Sequence, residues 1–141
     1  MKIMLDEGAI LPTRVHPWDA GLDLYAPEKD WVWTISPCGG SVTIDTLVHV
    51  QIPEGCTGFI KAKSGLNVKH GLTCTGVIDA HYTGSIRVKL YNHHPCLRYD
   101  VMPGDKIAQL VILKCELPEL ELVDSLEETD RGASGFGSTG R

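Results

Sequence analysis

The chain has 141 residues, 43% of them hydrophobic, and a formal charge of −5. That length and composition suit one domain with a real core, and the acidic balance argues against generic nucleic-acid binding, which needs a basic face. No stretch reads as a secretory signal and no apolar run is long enough to span a bilayer, so the expectation is a soluble intracellular protein, cytoplasmic, or nuclear or virion-associated if eukaryotic or viral.

Fifteen glycines and eight prolines favour many short strands joined by turns. Residues 1–15 hold one possible strand. His16-Pro17-Trp18-Asp19 is a turn, because proline bars helix before it. In Ala20-Gly21-Leu22-Asp23-Leu24-Tyr25-Ala26 the two leucines share a strand face and Asp23 points the other way. Asp23 is then either a solvent-facing residue of an edge strand or a carboxylate aimed into a cleft. Trp31–Ile35 is rich in strand formers, and Pro37-Cys38-Gly39-Gly40 turns the chain. Val48, Val50 and Ile52 alternate with His49 and Gln51 as another strand, and Gly58–Ala62 makes a further short one. Turns at this spacing are typical of an all-β sandwich or barrel.

Lys63-Ser64-Gly65 and the residues up to Gly71 read differently. Ser64 suits an N-cap and Gly71 a C′ position, so they bracket one or two helical turns. Such a start, with Lys63 and the Ser64 hydroxyl beside it, is either an anion seat or a plain capped turn. Next comes Gly76-Val77-Ile78-Asp79-Ala80-His81-Tyr82-Thr83-Gly84, followed by the alternating strand Ile86-Arg87-Val88-Lys89-Leu90. Glycines bracketing a short segment beside a strand suggest a hairpin whose backbone can approach a ligand closely. Asp79 and Tyr82 would sit on it as fixed functional groups, or Asp79 as an ordinary turn residue. Ile107–Leu113 lacks alternation and reads as a strand buried on both faces. The amide of Gln109 inside that run needs partners, in the backbone or in a cleft.

The five cysteines are widely spaced with no CxxC pair, which suits free thiols rather than a zinc or redox motif. His93-His94 lacks metal-ligand spacing and reads as a solvated turn. Acids crowd residues 116–130, with no lysine or arginine among them. The glycine-rich end, residues 131–141, carries Arg131, Phe136, Gly137, Ser138, Thr139 and Arg141. It reads as a flexible tail beyond a β domain of residues 1–130, with cations and N–H groups able to wrap phosphates and a phenylalanine able to cover a ring. No GxxxxGK[ST] pattern occurs, so it is not a P-loop.

Five segments, AGLDLYA, KSG, GVIDAHYTG, GDKIAQL and RGASGFGSTG, occur in the order of the five motifs of the trimeric dUTPases, and the sequence resembles that family from Ala20 to Gly140. The resemblance implies a jelly-roll-like β-barrel with one short helix, a homotrimer with active sites shared between subunits, and hydrolysis of dUTP to dUMP and pyrophosphate with Mg²⁺. It implies Asp79 as the general base that activates water for attack on the α-phosphorus. Tyr82 would pack on deoxyribose and exclude a ribose 2′-hydroxyl, and the backbone from Gly76 through Ile78 to Asp79 would read uracil. Asp23 would support the metal through water. Ser64 and Gln109 would contact phosphates, Arg131, Ser138 and Thr139 of the tail would engage the phosphate end, Phe136 would cover the base, and Lys63, Gly65 and Gly137 would complete the substrate-binding set. The implied role is to limit uracil in DNA and supply dUMP for thymidylate synthesis.

The chemistry of the residues agrees with these roles. In-line attack on phosphorus needs a positioned water and charge neutralisation on the oxygens. Mg²⁺ takes phosphate oxygens, few carboxylates and several waters, so one metal-proximal aspartate suffices. Rival readings are a dCTP deaminase, which would need a glutamate that is missing between Gly55 and Cys115, a nucleotide-sensing regulatory protein with an unidentified protein partner, and a purely structural β trimer.

Overall fold

The computed structural model describes residues 1–130 and 132. In chain order the elements are β1 (Lys2–Leu5), β2 (Gly21–Tyr25), β3 (Trp33–Ile35), β4 (Gly40–Gln51), β5 (Cys56–Lys61), α1 (Ser64–His70), β6 (Leu72–Thr73), β7 (Thr75–Ile78), β8 (Ser85–Asn92), β9 (Tyr99–Val101) and β10 (Lys106–Lys114). The strands form two antiparallel four-stranded sheets, ordered β1-β4-β8-β6 and β2-β10-β5-β7, and a β3-β9 ribbon. The expected all-β, jelly-roll-like architecture is therefore present, as open sheets.

Period-two patterning builds the core. Along β8, Ile86, Val88 and Leu90 are buried while Arg87 and Lys89 are exposed. On β4, Ile44, Val48 and Val50 are buried, so the strand expected near residues 48–52 begins much earlier, at Gly40. These side chains meet Leu24, Ile60, Ile78, Ile107 and Leu110 of the second sheet, and Ile35 and Val101 of the ribbon, in one cluster. Each fully buried aliphatic side chain contributes roughly 1.5–3 kcal/mol against exposure.

Three local expectations are corrected. The 76–84 segment is not a hairpin: β7 pairs with β5, whereas β8 pairs with β4 and β6, so the turn between them crosses from one sheet to the other. Ser64 is not the N-cap of α1; Lys63 caps it with extended backbone and no side-chain cap bond, and Ser64 is the first helical residue. Gly71 does end the helix in the left-handed conformation, at φ 68°. β10 is not buried on both faces throughout, because the face carrying Gln109 and Val111 leads outward to an exposed Leu113. An unbroken apolar run conceals this, since it satisfies a core on one face and an interface on the other equally well.

Among the described residues, buried polar groups are few and fully used. Asn92, at the end of β8, donates from Nδ2 to the carbonyls of Ile35 (3.1 Å) and Leu97 (2.8 Å), and its Oδ1 accepts from the His94 amide at 2.9 Å. His94 is structural in turn: its Nδ1 accepts from the Leu97 amide at 2.9 Å. All five cysteines are free. Replacing Asn92 with leucine keeps the volume but strands two carbonyls and one amide. We expect a loss of about 2–4 kcal/mol in urea denaturation; an unchanged midpoint would show that the network contributes nothing.

Candidate functional site

Six of the predicted residues line two clefts: Asp23, Lys63 and Gln109 the first, Ile78, Asp79 and Tyr82 the second. The first, of about 400 Å³, is lined by Val15, Asp19, Gly21, Asp23, Lys63 and Gln109. Here β10 lies between β2 and β5, with Gln109 opposite both Asp23 and Lys61. Asp23 is only 6% exposed. Lys63 donates to its Oδ1, and Lys106 Nζ lies 2.9 Å from its Oδ2. Burial raises the Asp23 pKa, but hydrogen bonds and charge from Lys63 and Lys106 outweigh it and hold the carboxyl below its ordinary range. The solvent-facing reading of Asp23 is thus wrong. A buried charge remains because two cations satisfy it.

Gln109 Nε2 donates to the Ala62 carbonyl at 3.2 Å. Its side chain passes over Gly21, where a Cβ would stand 2.3 Å from Oε1. That glycine is therefore a steric requirement for the glutamine. Ser64 and Gly65 open α1 beside Lys63 and are exposed, and a Cβ on Gly65 would meet nothing within 4 Å.

The second cleft, of about 240 Å³, is lined by Val77, Ile78, Asp79, Tyr82, Ser85 and Arg87. The Tyr82 amide donates to the Asp79 carbonyl at 3.1 Å, closing a tight turn. The phenol donates to the Ser85 carbonyl at 3.0 Å, and a Cβ on Gly84 would stand 2.4 Å from its oxygen. Gly84 is thus the space into which the Tyr82 ring folds. Asp79 is exposed, and among the described residues its carboxylate has no hydrogen-bond or ion-pair partner. Arg87 is held by Asp45 Oδ2 at 3.2 Å instead. Ile78 points into the core, so only its backbone can face the cleft. Gly76 lies opposite Ile60, where a Cβ would make ordinary contact at 3.5 Å; internal packing does not require that glycine.

Within one chain the two clefts stay apart. β2 and β7 are opposite edges of the second sheet, and Asp79 lies four residues beyond the row that joins Asp23, Gln109, Lys61 and Thr75. Three strand spacings and four residues of rise separate the Cα atoms of Asp23 and Asp79 by on the order of 20 Å. The larger cleft, about 680 Å³ between Glu7, Glu28, Asp30 and Trp31, contains none of the predicted residues. Arg131, Phe136, Gly137, Ser138 and Thr139 lie outside the described residues.

Comparison with known proteins decides the family. The dUTPase family model matches residues 7–140. The chain belongs to the dUTPase family. It is 42% identical over 139 residues to the deoxyuridine 5'-triphosphate nucleotidohydrolase of Nocardia farcinica, covering 96% of this chain and 82% of that protein. It is 40% identical over 144 residues to the Candida glabrata protein of the same name, covering 100% of this chain and 96% of that one. Among solved structures, the Staphylococcus bacteriophage 80alpha dUTPase with dUpNHpp superposes at a TM-score of 0.88 with 32% identity, covering 99% of this chain and 98% of that one. A mutant dUTPase of the S. aureus phage phi11, described as coordinating a structural Mg(II) ion, gives 0.78 with 30% identity and covers 90% of this chain and 98% of that one.

Sequence reasoning missed Lys106 and Gly84. Lys106 opens a buried strand, an unusual place for a lysine, but its partner Asp23 is 83 positions away and met only through β2–β10 pairing. Gly84 matters only once Tyr82 has folded back. The depressed pKa of Asp23 implies stabilisation that is complete above its ordinary pKa of 3.8 and is lost as pH falls through the lowered value. Asp23→Asn should cost about 1–3 kcal/mol in urea denaturation at neutral pH, with the gap to wild type closing in acid. Equal stability at neutral pH would remove the buried carboxylate from the account.

Proposed function

We propose that this chain hydrolyses dUTP to dUMP and pyrophosphate, in sites that copies of the chain complete for one another. The observation that carries this reading is the Asp79 turn. It presents an exposed carboxylate, without a partner among the described residues, beside a tyrosine locked over Gly84, on a sheet whose opposite edge holds the phosphate-type cleft. A water held by Asp79 gives up its proton as it attacks the α-phosphorus, and pyrophosphate leaves. Tyr82, fixed through Ser85, forms a rigid wall against deoxyribose and leaves no room for a ribose 2′-hydroxyl. The backbone of Gly76 to Asp79 pairs with the uracil edge; cytosine would leave its groups unpaired there.

At the other cleft, Lys63 and Lys106 both pair with the buried carboxylate of Asp23, and Asp19 adds a second carboxylate to the lining. The two ammonium groups beside it suit the phosphates of a triphosphate. No group of three or more metal-ligating acidic, histidine or cysteine side chains gathers among the described residues. The donor set therefore fits an Mg²⁺ ion carried mainly by substrate phosphates, with Asp23 reached through water. Such an ion supplies neutralisation of charge on the phosphate oxygens. Lys63, Ser64, Gly65 and Gln109 bind the phosphates from this side. Arg131, Gly137, Ser138 and Thr139 close over the phosphate end, and Phe136 covers the base.

A distance on the order of 20 Å is too great for one nucleotide to use Asp79 and the Asp23–Gln109 cleft of the same chain. A homotrimer that brings one copy's turn to another copy's cleft resolves this. Its contact surface is offered by the outer face of the second sheet, where Val77 is 59% and Leu113 50% exposed in line with Phe59 and Val111. Contiguous apolar rows of this kind mark interfaces. The second reading, a nucleotide-sensing regulator, is favoured by the phage dUTPases described as controlling transfer of virulence genes by a G protein-like mechanism. It uses the same pocket and differs in needing a protein partner.

Three outcomes are expected. Asp79→Asn should lower kcat for dUTP about 10³-fold while retaining nucleotide binding, measured by pyrophosphate release and calorimetry; turnover like wild type would remove Asp79 as base. Equimolar co-refolded Asp79→Asn and Gln109→Ala chains should regain activity that neither has alone, since mixed assemblies restore intact sites. No recovery in a mixed oligomer would show that each site lies within one chain. Deleting residues 131–141 should leave the oligomer assembled but severely impair hydrolysis; loss of assembly would give the tail a structural role instead.

A further inference from the structure

β4 carries an irregularity with a functional address. Between Asp45, opposite Arg87, and His49, opposite Ser85, four steps along β4 answer two along β8. The surplus is accommodated at Leu47, which holds a left-handed φ of 60° without being glycine. Asp45 Oδ1 accepts from the Leu47 amide at 3.0 Å, and Thr46 Oγ1 donates to the Ile86 carbonyl at 2.8 Å. Bulges of this kind re-aim a side chain beside a site and are kept despite their strain. Here the re-aimed side chain is His49. Its Nδ1 lies 2.8 Å from the carbonyl of Thr83, and its Nε2 lies 3.0 Å from Oδ2 of Asp6, just after β1.

Both partners accept only, so the ring satisfies both when both nitrogens carry protons. The Asp6 hydrogen bond and the Thr83 carbonyl raise the His49 pKa above its ordinary value; burial opposes them, and the charges of Asp6 and Asp45 assist. Thr83 follows Tyr82 directly and precedes the glycine that houses the Tyr82 ring. The turn thus has three ties: Tyr82 amide to Asp79 carbonyl, Tyr82 hydroxyl to Ser85 carbonyl, and His49 to Thr83. The third comes from β4 and varies with pH; just beyond the turn, Ser85 Oγ also donates to Asp45 Oδ2 of β4, at 2.9 Å.

We propose that His49 is a positioning residue for the reaction: clasped between Asp6 and the Thr83 carbonyl, it fixes the turn that presents Asp79 and Tyr82 to the nucleotide. The proposal rests on the hydrolase reading above. The charged groups around the ring are Asp6 next to β1, Lys2 across the groove on β1, Asp45 on its own strand, and Arg87 on β8, which is neutralised by Asp45. Below its raised pKa the imidazolium makes both bonds. As pH rises through that value one proton leaves, one bond is lost, and the turn is freed from β4 or from Asp6.

The test is dUTP turnover from about pH 6 to pH 9 for wild type, His49→Ala, His49→Gln and Asp6→Asn. His49→Ala should lower kcat/KM about tenfold or more at the acidic end, as expected for a displaced catalytic turn. His49→Gln, able to donate to Thr83 but uncharged, should recover part of this and lose the alkaline decline. Asp6→Asn should move that decline to lower pH, because the carboxylate that favours the imidazolium is gone. Nuclear magnetic resonance of wild type supplies a readout independent of turnover: the amide shifts of Tyr82 and Gly84 should follow the His49 titration. Turnover of His49→Ala within about twofold of wild type across the range would overturn the proposal. So would an unmoved decline in Asp6→Asn, or amide shifts indifferent to the imidazole, and these two decide the matter if His49→Ala does not fold. Failure of wild type to hydrolyse dUTP would instead sink the hydrolase reading, leaving the clasp to be judged by the amide titration.

Discussion

The Asp23 carboxylate, buried between Lys63 and Lys106, is the constraint on which the cleft beside Gln109 depends. It joins three parts of the chain that are remote in sequence: β2, the start of α1 and the start of β10. A single buried carboxylate with one lysine would leave half its lone pairs unsatisfied. With two lysines both of its oxygens are paired. Gln109 stands next to this cluster because β10 pairs with β2, and it fits only because Gly21 has no side chain. Charge, register and one absent methyl group therefore act together. None of them would make a cleft alone.

The Asp79 turn is built on the opposite principle. Its carboxylate is exposed and has no partner among the described residues, while the groups around it are tightly tied. The base role proposed for Asp79 requires a carboxylate able to take a proton from water, which one already satisfied by the protein could not do. Rigidity has to come from neighbours instead. Tyr82 is fixed by Ser85 and by the space over Gly84, and the bulged β4 reaches across through His49. The strain at Leu47 has a natural account here: it turns a core strand so that one polar side chain reaches a turn that connects two sheets.

Much was legible in the residues. Alternation on β8 marked its buried and exposed faces, because a strand between core and solvent has little other choice. Gly71 ended the helix as its left-handed conformation requires. The five family motifs identified Asp23, Lys63, Asp79 and Gln109 as a set. Less was legible where two physical solutions share one pattern. An apolar run without alternation reads alike for a doubly buried strand and for one whose outer face awaits a partner, which is how Val111 and Leu113 were misplaced. Two glycines around a short segment suit a hairpin and a sheet-to-sheet crossing equally well. Ser64 has the chemistry of a cap, but the backbone leaves the extended region one residue earlier, at Lys63.

The amino-acid sequence alone determined the class of fold, the positions of most strands, the family and the identity of its chemical groups. These depend on local period, on turn chemistry and on short motifs, all of which are written within a few residues. Only the tertiary structure decided which groups meet. The pairing of Lys106 with Asp23, the packing of Gln109 over Gly21 and the reach of His49 to Asp6 and Thr83 each join residues far apart in the chain. So does the separation of the two clefts to opposite edges of one sheet. Such relations follow from strand order and register, which arise from the packing of the whole core and leave no local mark in the sequence.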